Sequence, residues 1–174
     1  MKKEPVLVIF GQELPHKRLL SRRQYDVVIA QEKWRRQIEA MSLKFVPIEP
    51  LIEAGSIYEA SSLLEELSYL KLADGSRLAK SFTYEGYELW WTHYSDLFFY
   101  FCLPYTQYKK LLEYLKVFQG VHFYRPPYRS LFSCYLRAYG CEINILSKPG
   151  LKSPPFLPFG VILQIFITFL YLPI

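Results

Sequence analysis

The chain has 174 residues, 51% of them hydrophobic and 21% charged, and a formal net charge of +5. That length supports one domain with a substantial core and excludes two of ordinary size. The basic residues cluster in HKRLLSRR and EKWRRQ, which favours an anionic partner or an anionic leaflet. They are not interleaved with the aromatics as a base-stacking platform requires, so nucleic acid is not an expected partner. Cys102, Cys134 and Cys141 are an odd number without a CxxC pair, which argues against a metal site or a disulfide framework and for reduced thiols. MKKEPVLVIF is not a signal peptide, because its apolar run of about five residues is too short.

In chain order, Val6 to Phe10 is a continuous aliphatic run ended by Gly11, the pattern of a strand buried on both faces of a parallel sheet. Asp26 to Ala30 is the second such strand. Trp34, Ile38 and Met41 then follow at helical spacing, with Glu32 four residues before Arg36. Lys44 to Ile48 resumes strand character, and Pro47 places it at an edge or a strand end. Ile57 to Leu70 is amphipathic, with Ile57, Leu64 and Leu67 expected inward. Ser56 and Glu59 form a capping-box pattern at its start.

Tyr84 to Tyr114 is a dense aromatic block. Glu85-Gly86 between FTY and YELWW predicts a tight hairpin. On a strand Trp90 and Trp91 cannot both face inward, and an exposed indole can stack on a sugar ring or seat at a membrane surface. Tyr94, Leu97, Phe98 and Phe101 mark a helical face that Phe99, Tyr100 and Cys102 widen until little of the helix is expected to meet water. Pro104 ends that helix and starts another over Tyr105 to Val117. Val121 to Tyr124 is a strand, Pro126-Pro127 a rigid corner, Tyr128 to Tyr139 a helix stopped by Gly140, and Glu142 to Leu146 a last strand.

This alternation predicts an α/β fold: a Rossmann-like three-layer domain over residues 1–146 with a mainly parallel sheet, a hairpin appendage and a C-terminal apolar helix. Ligands bind such sheets outside the carboxyl ends of the strands, here at Gly11 to His16, Gln31 to Lys33, Glu49 to Ile52, Arg125 to Arg129 and Ser147 onward. Residues 147–158 read as a Pro- and Lys-rich linker. Residues 159–174 read as an apolar membrane-associated or transmembrane segment, cut short at Ile174. Counted from Phe156 it rises about 28 Å as a helix against a hydrocarbon core of about 30 Å. Lys148 and Lys152 would keep its start cytoplasmic; the alternative is a buried core helix.

No glycine-rich phosphate loop is complete, since Leu14 and Lys17 stand where glycines are needed after Gly11. His93 and Asp96 have the spacing of an oriented acid/base pair or of a helix-start hydrogen bond. His16, with Lys17 and Arg18, is placed either to hold a phosphate or to be a solvated loop. Arg125 and Arg129 bracket the Pro-Pro corner beyond a strand end, where guanidinium forks bind phosphate or carboxylate. No metal site is expected.

The opening VLVIFG, the GYELWW hairpin before an aromatic helix, the strands VHFYR and INIL and the Pro-rich apolar tail together resemble the N-terminal half of bacterial membrane-associated glycosyltransferase-like proteins of surface-carbohydrate biosynthesis. Those proteins pair two Rossmann-like domains across a cleft. The resemblance implies an acceptor-side half on the cytoplasmic face of the membrane, taking a glycan or lipid-linked acceptor and inactive alone. The nucleotide-sugar donor would belong to a second domain, with no cofactor in this chain. His93 is then the catalytic candidate, and Trp90, Asp96, Arg125, Arg129 and His16 the substrate-binding ones. The competing reading is a non-catalytic, tail-anchored interaction module whose block Tyr87 to Phe101 packs on a partner protein. A third is a soluble α/β enzyme with the tail as its last core helix.

Overall fold

A computed structural model describes residues 5–11, 13–16, 20 and 25–146; the expected linker and apolar tail lie outside the described residues. The chain divides into two compact units, one of Met1–Leu51 with Lys110–Ile174 and one of Ile52–Lys109.

The first unit is built on a sheet of five parallel strands: β1 (Val6–Ile9), β2 (Val27–Ala30), β3 (Lys44–Pro47), β6 (Gly120–Tyr124) and β7 (Glu142–Leu146), in the order β3-β2-β1-β6-β7. Two further strands, β4 (Thr83–Tyr84) and β5 (Tyr87–Glu88), belong to the second unit. All four side chains of β1 are fully buried, as its unbroken apolar run requires of a central strand with both faces covered. Lys44 and Pro47 fit β3 at the edge, where a missing N–H costs no ladder bond. This is the α/β, Rossmann-like architecture expected of residues 1–146, with residues 52–109 of that span forming the second unit.

Register sorts the side chains onto two faces. Leu7, Ile9, Val28, Ala30, Phe45 and Tyr124 form one core with Leu20, Tyr25 and Ile38, and Leu14, Trp34 and Met41 pack against it. Ile38 comes from α1 (Arg35–Glu39), which a 3-10 turn over Glu32–Trp34 leads into. On the opposite face Phe10 and Phe123 meet Phe132 of α7 (Arg129–Ala138), with ring centroids 5.3 and 5.0 Å away.

One polar group interrupts the first face. His122 pairs in register with Leu7 and Asn144; its Nδ1 lies 2.9 Å from the Tyr25 hydroxyl and its Nε2 3.1 Å from Asn144 Nδ2. With the Asn144 amide donating to Nε2, Nδ1 carries the proton of a neutral ring and donates to Tyr25. An imidazolium needs two acceptors, so Asn144 would have to turn its carbonyl inward. Burial lowers the His122 pKa, with the Glu142 charge acting in the opposite direction. The unfolded chain, with histidine near its ordinary value of about 6.5, therefore takes up the proton first. The His122 contribution to stability is complete above that pH and declines as pH falls toward the folded value. Urea midpoints measured from pH 7.5 to 5 should fall more steeply in the native chain than in His122→Asn; parallel curves would show that His122 is not responsible.

The second unit begins with α2 (Ile57–Tyr69), capped by Ser56, whose Oγ accepts from the Glu59 N–H at 3.3 Å. Its buried face is Ala60, Leu64 and Ser68, whereas Ile57, expected inward, is 70% exposed in the first turn. α3 (Leu78–Ser81) precedes the hairpin of β4 (Thr83–Tyr84) and β5 (Tyr87–Glu88). Glu85 at φ 50° and Gly86 at φ 86° form the two-residue turn that the sequence announces.

The strand expected through Trp91 stops at Glu88. Leu89–Thr92 is instead a helical turn, α4, followed by α5 (Tyr94–Leu97). The aromatic helix does not end at Pro104. A π-helical segment, Phe98–Cys102, runs directly into α6 (Leu103–Leu115). Proline cannot donate to the carbonyl one turn back, and the wider π turn falls where that bond would be missing. Phe98, Phe101 and Cys102 are buried, while Phe99 and Tyr100 are 58% and 45% exposed. The helix thus meets water on one side, contrary to the expected all-round apolar surface. Gly55 holds the loop before α2 against α6: a Cβ there would meet Gln107 Cγ at 2.5 Å, and the Glu53 N–H donates to the Gln107 carbonyl at 2.9 Å.

Among the described residues no helix is long and apolar enough to cross a membrane, and no group of three His, Cys, Asp or Glu side chains is placed to hold a metal ion. Cys102, Cys134 and Cys141 are free thiols. Burial pushes the Cys102 thiol up to about 12 and raises the other two, so none is an activated nucleophile.

Candidate functional site

The chain lays β1, β2 and β3 successively toward one edge, then returns to the other side of β1 with β6 and β7. The loops leaving the carboxyl ends of β1 and β6 therefore diverge to opposite sides. This divergence is the switch point at which open parallel sheets hold their ligands.

Two special backbone conformations mark it. Gly11, just beyond β1, has φ 94° and open space where a Cβ would stand. Arg125, the first residue beyond β6, has φ 56°, a left-handed conformation that costs a non-glycine residue about 1–2 kcal/mol. Its guanidinium reaches the loop after β1, where Nη1 lies 3.0 Å from Glu13 Oε2. It also sits over the Tyr124 ring at 5.4 Å. The side chains of this pair are 35% and 64% exposed, so solvent reaches both. The Phe10 N–H donates to the Tyr124 carbonyl at 3.0 Å, which continues the β1–β6 ladder one residue past the strands.

The corner Pro126-Pro127 leads to Arg129, exposed in the first turn of α7, which has no acidic residue there and no side-chain cap. Its N–H groups and the positive end of its dipole add to the two guanidiniums. His16 is exposed on the loop after β1, three residues past Glu13. Arg125, Arg129 and His16, separate candidates in sequence, thus lie on the loops after β6 and β1, at one carboxyl edge of the sheet. The chemistry it offers is recognition of a phosphate or carboxylate, with Glu13 as an internal competitor for Arg125. Glu13 escaped the sequence reading because nothing local marks it as the partner of a residue so far along the chain.

Just after β2 the Gln31 Oε1 and Trp34 Nε1 atoms are out of solvent contact and have no hydrogen-bond partner among the described residues. Beside them the Glu32 N–H donates to Glu49 Oε1 at 2.9 Å, a bond that joins the ends of β2 and β3.

The remaining candidates belong to the second unit. His93 Nδ1 lies 3.2 Å from Asp96 Oδ2, so the pair forms as its spacing requires, on an exposed helix start. Trp90 is fully buried, edge-on to Phe82 at 5.3 Å, and Trp91 is the 57% exposed indole, stacked on Tyr94. The expectation that one of the two indoles is exposed is met, although by a helical turn and not by a strand. The same unit has a cleft of about 390 Å³ between α2 and the first turns of α6, with Glu59, Glu66 and Lys109 among its lining. No family model, no curated protein and no solved structure matches the chain.

Proposed function

We propose that this chain is the acceptor-side half of a membrane-associated glycosyltransferase-like protein, and that its sheet unit binds an anionic ligand at the switch point through Arg125 and Arg129. The observation that carries the binding reading is Arg125, held at φ 56° at the carboxyl end of β6 and ion-paired across the crevice to Glu13. A strained, part-buried cation at the ligand-binding edge of a parallel sheet is the kind of local cost that functional sites sustain. The transferase reading adds the resemblance in element order and in the aromatic block. In it the bound anion is the phosphate of a lipid-linked acceptor, and the donor nucleotide-sugar is held by another domain. His93 with Asp96 is the acid/base candidate, and the segment beyond Lys148 holds the protein to the cytoplasmic leaflet.

Titration of the chain with inorganic pyrophosphate tests the binding reading. Saturable binding is expected, weakened about tenfold or more in Arg125→Ala by loss of a charge-assisted hydrogen bond, with the fold retained. Equal affinity in the variant would remove Arg125 from the site. The exposed Tyr87, Trp91 and Phe99 favour the second reading, an interaction module docking a partner protein through this block. Absence of pyrophosphate binding together with micromolar self-association would favour it over the first.

A further inference from the structure

We propose that the cleft between α2 and the first turns of α6 binds a linear organic polycation of the polyamine class, with one ammonium on Glu59, another on Glu66 and the methylene chain between them. The site lies wholly within the second unit and does not depend on the anion-binding reading above.

The cleft has two walls and a fixed join between them. Its volume of about 390 Å³ falls within the range of small-molecule pockets. One wall is the stripe Glu59, Ser62, Leu63 and Glu66 of α2, at i, i+3, i+4 and i+7, the spacing that lines one helix face. The other is formed by Tyr105, Thr106 and Lys109 of α6. The walls are joined where α2 begins. The Glu53 N–H donates to the Gln107 carbonyl at 2.9 Å, and a Cβ on Gly55 would stand 2.9 Å from Thr106 Oγ1. Only glycine lets the loop before α2 come so close to α6, so the width of the cleft is set by backbone contact.

Charge selects the ligand. Glu53, Glu59 and Glu66 share the lining with a single cation, Lys109. That carboxylate excess, in a chain of net charge +5, disfavours phosphate or carboxylate ligands and attracts cations. Among the described residues neither Glu59 nor Glu66 makes an ion pair, and Lys109 pairs with neither of them. Opposite charges that line one cleft without touching leave room between them for a chain.

Length follows from the helix. The seven residues from Glu59 to Glu66 rise about 10.5 Å, and a heptad comes within about 20° of two whole turns, so the two glutamates stand in line. The terminal nitrogens of extended spermidine are nine bonds apart, about 11 Å, the reach of three extended residues. In 1,3-diaminopropane they are four bonds apart, which is too short to span the pair. The rings of Tyr58 and Tyr105 and the Leu63 side chain complete the lining. They give the methylenes an apolar surface and the ammonium groups aromatic faces.

Calorimetric titration of the full chain with spermidine and with 1,3-diaminopropane, in about 0.15 M salt to screen exposed charge, tests the proposal. Spermidine is expected to bind saturably, one molecule per chain, and about tenfold more tightly than the diamine. Glu59→Gln and Glu66→Gln should each weaken spermidine about threefold or more, the size of one part-exposed charge pair, and should narrow its advantage over the diamine. Lys109→Ala should tighten it about twofold or more. Glutamine matches glutamate in shape and serves equally at the third position of a capping box, so α2 keeps its structure in both variants. Glu65→Gln is the control: Glu65 is exposed on α2 but does not line the cleft, and its loss should leave the affinity unchanged. No saturable binding of spermidine, or equal affinity for the two amines, would overturn the proposal. An equal loss in Glu65→Gln would show that the charge of α2 as a whole attracts the amine, and would overturn the cleft as its site.

Discussion

Phe132→Ala is expected to destabilise the sheet unit by about 3–5 kcal/mol, the range for removing a fully buried aromatic ring from a packed core. Phe132 has no exposed surface, and its ring lies against Phe10 beyond β1 and Phe123 on β6. Those three rings attach α7 to the two strands that flank the switch point. Truncation removes the ring's transfer free energy and leaves a cavity bounded by two aromatic faces on rigid strands, a site with little freedom to collapse. Phe132→Leu keeps most of the volume and should cost less than half as much. The measurement is urea unfolding, read as a fall in midpoint at constant slope. A loss below about 1 kcal/mol for the alanine variant would show that α7 is not docked through this ring. Because Arg129 is the first residue of α7, the alanine variant should also weaken anion binding at temperatures where it remains folded.

The strands of this sheet were legible because local composition determines them. A run such as VLVI can be satisfied only by burial on both faces, whereas INIL is read as a strand from its β-branched residues and lies at the sheet's edge, where none of its side chains is fully buried. The hairpin turn was legible because Glu85-Gly86 leaves the backbone few alternatives between two β-prone runs. Strand order was not legible: nothing in VHFY specifies β1 as its neighbour, and that pairing decides where the switch point lies. The inward face of the aromatic helix was legible: Leu97, Phe98 and Phe101, expected on it, are buried. Its breadth was overread, because Phe99 and Tyr100 are apolar in composition yet lie off that face and reach water. The π segment Phe98–Cys102, which carries the helix past Pro104, has no signature in a period of about 3.6 residues. Within the candidate site, Arg125 could be proposed from its place between a strand and Pro-Pro. Its positive φ, its pairing with Glu13 and the unpartnered atoms of Gln31 and Trp34 are products of long-range assembly, which local pattern does not encode.

Replacement of Arg125 by glycine should separate stability from binding. At φ 56° the arginine carries a backbone cost of about 1–2 kcal/mol that glycine does not. Glycine in turn gives the unfolded chain more conformational freedom, which returns about 0.5–1 kcal/mol of that gain. The ion pair with Glu13 is part-exposed, and pairs of that kind contribute about 0–1 kcal/mol. These contributions nearly cancel, so Arg125→Gly is expected to fall within about 1 kcal/mol of the native chain in stability. Arg125→Ala keeps the strain and loses the pair, and should be the less stable of the two variants. Both should lose anion affinity by about tenfold or more, because the fork that holds the ligand is gone. Glu13→Gln acts in the opposite direction: it withdraws the carboxylate that competes for the guanidinium and should tighten pyrophosphate binding severalfold, most clearly at low salt. Calorimetric titration and thermal unfolding of the three variants measure both quantities. If the left-handed backbone at residue 125 exists to aim a cation into the crevice, affinity will follow charge, rising in Glu13→Gln and falling in both Arg125 variants, while stability follows φ. If Arg125 serves the fold alone, Arg125→Gly will lose stability and Glu13→Gln will not gain affinity.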